Sequence, residues 1–271
     1  MKIQHLIYAI LFILSSKTLS NQVTNNQFVI IIPSYNNERW CIKNLESVFM
    51  QKYPNFRAIY INDCSTDNTP NLVTDYLQKN NLLNKCTYIE NKIRKGALQN
   101  FYNAIHSCNE NEIVVCVDGD DLLAHDDVLN ILNNVYQDKK VLFTYGSYIT
   151  SDGFLGGAQP YSKEIIQKRS FRFDDWKATH LKTFKTHVFK RIKKEDFMHD
   201  NNFFDMCSDV AFTIPILEMV SPNFKFIPDI LYVYNNSNPL NDRKIDIKKQ
   251  QFIEKLIKQK EVYASLETQN V

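Results

Sequence analysis

Three aspartates crowd into the four-residue turn Asp118-Gly119-Asp120-Asp121, directly after the apolar run Ile113-Val114-Val115-Cys116-Val117. Carboxylates this close repel one another, and such a cluster is costly unless a cation or a basic group neutralises it. A divalent metal bridging phosphate oxygens is its natural occupant, because Mg²⁺ takes one or two carboxylates together with substrate phosphates. Gly119 is expected to leave room for a ligand to approach the backbone. Three more polar segments also follow apolar runs: Pro33-Ser34-Tyr35-Asn36-Asn37-Glu38, Asn62-Asp63-Cys64-Ser65-Thr66-Asp67 and Glu90-Asn91-Lys92-Ile93-Arg94-Lys95-Gly96. Taken singly, each reads as a solvated connection or a helix cap.

The elements that must position these segments alternate. Residues 28–32 form a β-branched apolar run ended by Pro33, which predicts a strand buried on both faces. Cys41, Ile42, Leu45, Val48 and Phe49 recur at helical spacing, with Asn36 or Asn37 as the expected cap. Strands are predicted at 56–61, 87–89, 113–117 and 141–145. Helices are predicted from Thr69-Pro70, over Ala97 to Ile105, and over Val128 to Val135. This alternation predicts an α/β fold with a mostly parallel sheet and helices on both faces. Ligands of such sheets bind beyond the carboxyl ends of the strands, where all four polar segments lie. Further on, residues 163–194 hold eleven Lys and Arg against Glu164, Asp174 and Asp175. Residues 210–220 read as an apolar helix interrupted at Pro215, residues 230–234 as a strand, and residues 242–264 as a charged helix.

The 271-residue length suits one large α/β domain or two small ones. With 44% hydrophobic and 23% charged residues the composition is that of a globular protein, and a net charge of +2 gives no reason to expect a nucleic-acid partner. None of the six cysteines forms a CxxC pair, so zinc-ribbon and thioredoxin-type chemistry are not indicated. At the N-terminus Lys2 precedes the apolar stretch from Leu6 to Leu14, with small polar residues following up to Ser20. The stretch is too short to span a bilayer as a helix, and residues 1–20 are read as a signal peptide or short leader. That reading favours a secretory, periplasmic or membrane-associated location, with the cytoplasm as the alternative.

The four segments together carry a resemblance. Ile30-Ile31-Ile32-Pro33-Ser34-Tyr35-Asn36, then Asn62-Asp63-Cys64-Ser65-Thr66-Asp67, then Asn91-x-x-Arg94-Lys95-Gly96-Ala97, then Val117-Asp118-Gly119-Asp120-Asp121 resemble glycosyltransferase family 2 in order and spacing. The resemblance is strong over residues 28–123 and thinner to about residue 240. It implies a GT-A fold, a nucleotide-diphosphate sugar donor, Mn²⁺ or Mg²⁺, and inversion at the anomeric carbon. It divides the chain into a 28–240 catalytic domain (28–146 binding the nucleotide-sugar, 147–240 on the acceptor side) and a 241–271 helical tail. By position, Pro33, Tyr35 and Asn36 are implied to line the nucleotide pocket with Glu38 close by. Asp63 is implied to receive the base, and Arg94 and Lys95 to lie near nucleotide or phosphate. Asp118 would bind the ribose or donor side, Asp120 the metal, and Asp121 the donor sugar or the acceptor side.

The family's acidic residue opening a later helix matches Asp209, which makes Asp209 the implied general base, with Asp205 and Asp200 as neighbours that compete for the role. Trp176 is a candidate sugar platform, and His180 a candidate contact for diphosphate or acceptor. The chain departs from the family where Asn62 replaces a second Asp and Cys64 a Gly. The late metal-binding His of many relatives is also absent, and Tyr234-Asn235-Asn236-Ser237 stands in that region. The expected acceptor is a hydroxyl of a glycan, a lipid-linked molecule or a protein, and the leader allows membrane association. A nucleotidyltransferase would need a Gly-rich basic loop after the first strand, and a dehydrogenase GxGxxG, neither of which is present. A nucleotidyltransferase and an inactive secreted sugar- or nucleotide-binding module are the alternatives, and Asp118, Asp120 and Asp209 argue against the inactive module.

Overall fold

A computed structural model describes residues 24–266. The expected leader lies outside them, as do the last residues of the expected tail.

Strand β1 (Phe28–Ser34) is buried along its whole length, and its side chains divide by parity. Val29 and Ile31 enter one hydrophobic cluster, and Phe28, Ile30 and Ile32 enter the other. A central strand has two dry faces, which is why the run is continuously apolar. In parallel with β1 run β2 (Phe56–Asn62) and β4 (Ile113–Cys116), and β3 (Cys86–Glu90) is parallel to β2. The sheet has eight strands, the others being β5 (Leu122–Leu123), β6 (Phe143–Thr150), β7 (Thr183–Lys185) and β10 (Phe224–Tyr234); the order is β3-β2-β1-β4-β7-β6-β10-β5. β7 is antiparallel to both β4 and β6, and β10 is parallel to β6. The carboxyl ends of β1, β2, β3, β4, β6 and β10 therefore share one rim. A separate hairpin joins β8 (Met198–His199) and β9 (Asn202–Phe203).

Helices cover both faces. α1 (Cys41–Phe49), α2 (Thr69–Lys79) and α4 (Val128–Val135) bury their apolar stripes with Ile30. α3 (Ala97–Ser107), α7 (Ser208–Val220) and α9 (Ile247–Lys258) pack on the opposite face with Ile31. The basic stretch is not one helix: it holds α5 (Lys163–Lys168), β7 and α6 (Thr186–Phe189).

Three expectations are corrected. α1 has Trp40 at its cap position and no side-chain cap; Asn37 closes the entry with its carbonyl, accepting from Trp40 N and Cys41 N at 2.9 and 2.8 Å. α7 runs unbroken through Pro215, because every residue from Val210 to Val220 is buried. Packing on all sides outweighs the ~3 kcal/mol that an interior proline costs. The C-terminal helix is split into α8 (Asp242–Ile245) and α9, and Asp246 between them caps α9 by accepting from Lys249 N at 2.9 Å.

The segment after α9 is fastened by a buried ion pair. Arg172 and Glu218 are 1% and 0% exposed, and an Arg172 Nη2 to Glu218 Oε2 hydrogen bond of 3.0 Å joins them. Arg172 also donates to the Ile257 and Glu261 carbonyls, and Glu218 accepts from Tyr263 N. Among the described residues no helix is long and apolar enough to cross a membrane.

Candidate active site

The acidic turn is held from three directions. Gly119 N donates to the Pro33 carbonyl at 3.0 Å, and Asn44 Nδ2 on α1 donates to the Asp118 and Asp121 carbonyls at 2.9 and 2.8 Å. Asp118 N donates to the Tyr232 hydroxyl of β10 at 3.1 Å. A Cβ on Gly119 would sit 2.6 Å from Ser34 Cβ and 2.8 Å from Asn37 Nδ2. The space at Gly119, expected for a ligand, is thus filled by the end of β1.

The three carboxyls diverge in role. Asp118 is half-buried, and its carboxylate has no hydrogen-bond partner among the described residues. Burial, then the charge of Asp120, pushes it up to about 7 against the opposing pull of Lys182. Asp120 accepts from Asn238 Nδ2 at 2.6 Å, and burial raises it as well. Asp121, expected on the donor or acceptor side, is turned inward and 1% exposed; it accepts from Tyr232 Oη at 2.7 Å and Asn235 N at 2.6 Å. Its carboxyl joins the end of β10 to the turn. Among the described residues no group of three or more His, Cys, Asp or Glu is arranged to hold a metal. What the turn offers is Asp118 and Asp120, a two-carboxylate set that suits a divalent ion also bound by phosphate oxygens.

At the start of α7, Lys182 Nζ lies 3.2 Å from Asp209 Oδ2, with side-chain exposures of 1% and 36%. Lys182 stays buried because it precedes β7, where its carbonyl accepts from Cys116 N. Asp209 is the second residue of α7 and does not occupy the cap, which is Cys207; its Oδ1 accepts from Val210 N at 2.9 Å. Burial raises the Asp209 carboxyl, but the charge and hydrogen bond of Lys182, with the Val210 amide, outweigh it, and the group lies below its ordinary range. Asp205 is instead paired with Lys249, and Asp200 is largely exposed. His180 stacks on Tyr232 at 4.6 Å between ring centroids and meets Tyr234 and Tyr148. Burial, with Lys182 nearby, drops its imidazole to about 3, so the ring is neutral. Trp176 is half-buried against the cluster that includes the inner face of α7.

After β2, Asp63 is buried with both oxygens engaged. It accepts from Lys95 N at 2.9 Å, Gly96 N at 2.8 Å and Asn91 Nδ2 at 2.8 Å. The residue expected to receive the base therefore anchors the Arg94–Lys95 loop. Gly96, at φ 82, gives that loop its left-handed turn into α3. The Arg94 guanidinium lies 3.9 Å from the centroid of the Tyr35 ring. Asn36 Oδ1 accepts from Thr66 N at 2.8 Å, and Glu38 Oε2 from Asn68 N at 3.0 Å, so both brace the loop after β2. Pro33 is buried at the end of β1. A cleft of about 470 Å³ opens here, lined by Arg94, Lys95, Asp205, Leu240, Asp242 and Lys249 among others.

Sequence reading missed four contributors. Lys182 was one of many basic residues, and nothing marked it as buried. Asn238 lies in a turn-rich stretch, one residue past the Tyr234–Ser237 segment that stands where the late metal-binding His is expected. Asp242 was assigned to the tail, yet it accepts from Cys207 N at 3.2 Å beside the base candidate. Tyr232 read as an ordinary strand residue. Only Asn238 carried a signal, as a polar side chain just beyond a strand end on the same rim.

Comparison with known proteins agrees with this geometry. The family profile described as glycosyl transferase family 2 matches residues 29–198. Glycosyltransferase GlyG of Streptococcus pneumoniae is 27% identical over 219 residues, covering 76% of this chain and 69% of GlyG. The poly(ribitol-phosphate) β-N-acetylglucosaminyltransferase TarS of Staphylococcus aureus is 33% identical over 99 residues, 36% of this chain; those residues span only 17% of TarS. A solved TarS fragment in complex with UDP-GlcNAc superposes with TM-score 0.64 at 18% identity, over 85% of this chain and 65% of that one. A mannosyltransferase from Pyrobaculum calidifontis, in complex with GDP-Man and Mn²⁺, gives TM-score 0.55 at 21% identity over 76% of this chain and 56% of that one. With that profile match, the GT-A fold and an aspartate turn on the ligand rim, the chain belongs to glycosyltransferase family 2 and is a sugar-transferring enzyme.

Proposed function

We propose that this enzyme moves a sugar from a nucleoside-diphosphate donor to an acceptor hydroxyl, with inversion, and that it depends on a divalent metal. The observation that carries the reading is the half-buried Asp118 carboxylate, which has no hydrogen-bond partner among the described residues and, beside Asp120, is pushed up to about 7 despite the pull of Lys182. Such a group is costly until a cation meets it. Mn²⁺ or Mg²⁺, held by Asp120 with Asp118 beside it, would neutralise the diphosphate as it departs. A uridine donor is favoured by the TarS structures with UDP and UDP-GlcNAc.

The chain's own residues supply the rest. Asp63 holds the Lys95 and Gly96 amides, and so places Arg94 and Lys95 at the cleft where the nucleotide is proposed to sit. Asp209 is ionised at neutral pH and takes the proton of the acceptor hydroxyl as that oxygen attacks from the face opposite the diphosphate. Lys182 holds the Asp209 carboxylate in place, and neutral His180 adds no competing positive charge. The test is nucleotide release from UDP-sugar and GDP-sugar donors, with Mn²⁺ and with chelator. Release that is equal in chelator, or absent with every donor while the chain is folded, would overturn the reading.

A further inference from the structure

We infer that the rim around the catalytic cleft docks on an anionic membrane surface, and that the acceptor hydroxyl belongs to a lipid-anchored molecule presented there. The acceptor clause rests on the function proposed above; the docking clause stands on the surface alone.

Bulky apolar side chains protrude from three loops of this rim. Ile93 is 70% exposed after β3, Phe154 and Leu155 are 70% and 72% exposed after β6, and Leu240, Ile245 and Ile247 are 39%, 53% and 45% exposed after β10. β3, β6 and β10 point the same way as β4, so these loops surround the turn at Asp118. Hydrogen bonds tie the loops to the site. Ser151 N donates to the Tyr234 carbonyl, and Asn236 Nδ2 to Asp152, which joins the Phe154 loop to the turn bearing Asn235 and Asn238. Lys244 Nζ donates to the Asn236 and Asn238 carbonyls, which fixes α8 beside them. Arg94 lines the cleft together with Leu240 and Ile245.

Outside this rim the exposed apolar side chains fall one by one on separate elements: Met50 before β2, Leu83 before β3, Ile89 on β3, Phe173 before β7, Phe252 on α9 and Val262 after it. Apolar tips grouped on one side mark a contact surface. Ile93, Phe154, Leu155 and Ile247 stand outside the cleft that Leu240 and Ile245 line, on three separate connections, which suits shallow insertion among lipid headgroups more than a single peptide. Charge leans the same way: exposed Lys92 and Arg94 flank Ile93, and exposed Lys244, Lys248 and Lys249 lie around Ile245 and Ile247, outnumbering the exposed Glu90, Asp152 and Asp246 on the same connections. Apolar side chains interleaved with lysines bind anionic interfaces by burial and attraction together.

The experiment is co-sedimentation of the full chain with phosphatidylcholine vesicles, with and without phosphatidylglycerol. Binding is expected only with the anionic lipid, weakening as salt rises. The double variant Phe154→Ser with Leu155→Ser should bind about tenfold less, and Leu83→Ser on the far edge should bind normally. UDP affinity should be unchanged in both, which shows that the fold and cleft are intact. Equal sedimentation of wild type and rim variant would overturn docking. So would absence of vesicle binding accompanied by self-association that the rim variant abolishes, which would assign the face to a second copy. If vesicles bind but no nucleotide-sugar is turned over, docking stands and the proposed chemistry fails. Turnover with soluble acceptors that vesicle-borne acceptors never improve would overturn the acceptor clause.

Discussion

Lys182 Nζ meets Asp209 Oδ2 at 3.2 Å, a buried ammonium against a carboxylate that keeps 36% of its side chain open to solvent. The stabilising role of this pair is separable from the proposed proton transfer. Asp209→Asn should lower transfer by ~10²–10⁴-fold while nucleotide affinity holds. It should also destabilise by about 1–3 kcal/mol, less than the ~3–5 kcal/mol of a fully buried pair, because water already screens Asp209. Adding Lys182→Met should restore the melting temperature without restoring transfer. Wild-type transfer in Asp209→Asn would remove Asp209 from the mechanism.

Asp63→Asn should weaken binding of the nucleoside diphosphate by about 10–100-fold. An amide in this position turns an N–H toward Lys95 N or Gly96 N, which are both donors, so the loop bearing Arg94 loses its anchor. Calorimetry against UDP checks this, and unchanged affinity would show that the loop holds its place without Asp63.

His180 sets a pH dependence of stability. Its folded value of about 3 lies below the ordinary 6.5, so in acid the unfolded chain binds a proton that the folded chain refuses. The His180 contribution is thus full above pH about 6.5 and is lost as pH falls toward 3, by up to ~1.4 kcal/mol per pH unit. His180→Phe keeps a ring on Tyr232 but cannot titrate. Urea midpoints across that window should fall less steeply for the variant, and parallel curves would show that His180 titrates normally.

What sequence reading recovered, and what it missed, follows from the range of the interactions involved. The rim segments after β1, β2, β3 and β4 were legible because a doubly buried strand must be a continuous apolar run, and its polar successor marks the exit. β7 was not: it has three residues, and its Thr183 hydroxyl is satisfied inside by Tyr136 and Thr144. Its insertion between β4 and β6 is set by contacts far away in sequence. Spacing also could not tell which neighbouring carboxylate turns inward. Asp118 and Asp121 are separated only by how Tyr232 and Asn235 receive the turn.

Asp120→Asn should abolish Mn²⁺-dependent strengthening of UDP binding without loss of stability. Burial already disfavours the Asp120 charge, and its removal also relieves Asp118 and Asp121, whose carboxyls it pushes up. Asn238→Ala should act in the same direction but more weakly, by about tenfold in Mn²⁺ affinity, since it removes one hydrogen bond that favours the ionised form. Titrations of UDP with and without Mn²⁺ read both. An Asp120→Asn protein that still needs Mn²⁺ would place the metal elsewhere.

The Arg172–Glu218 pair tests whether the chain beyond α9 is part of the catalytic fold. Arg172 reaches the Ile257 and Glu261 carbonyls, and Glu218 on α7 receives Tyr263 N, so the two side chains bind residues 257–263 to the buried helix whose second residue is Asp209. Arg172→Met leaves the Glu218 carboxylate buried without its cation and frees two carbonyls. The cost of breaking such a pair is ~3–5 kcal/mol, which for a domain of this size lowers the melting temperature by about 6–20 °C. The double variant Arg172→Met with Glu218→Leu removes both charges together, and should recover much of that loss because an apolar pair needs no desolvation. If the segment is integral, Arg172→Met should also expose the amides of residues 257–263 and of α7 to hydrogen exchange together. A normal melting temperature, or exchange confined to the tail, would show that α7 stands without it.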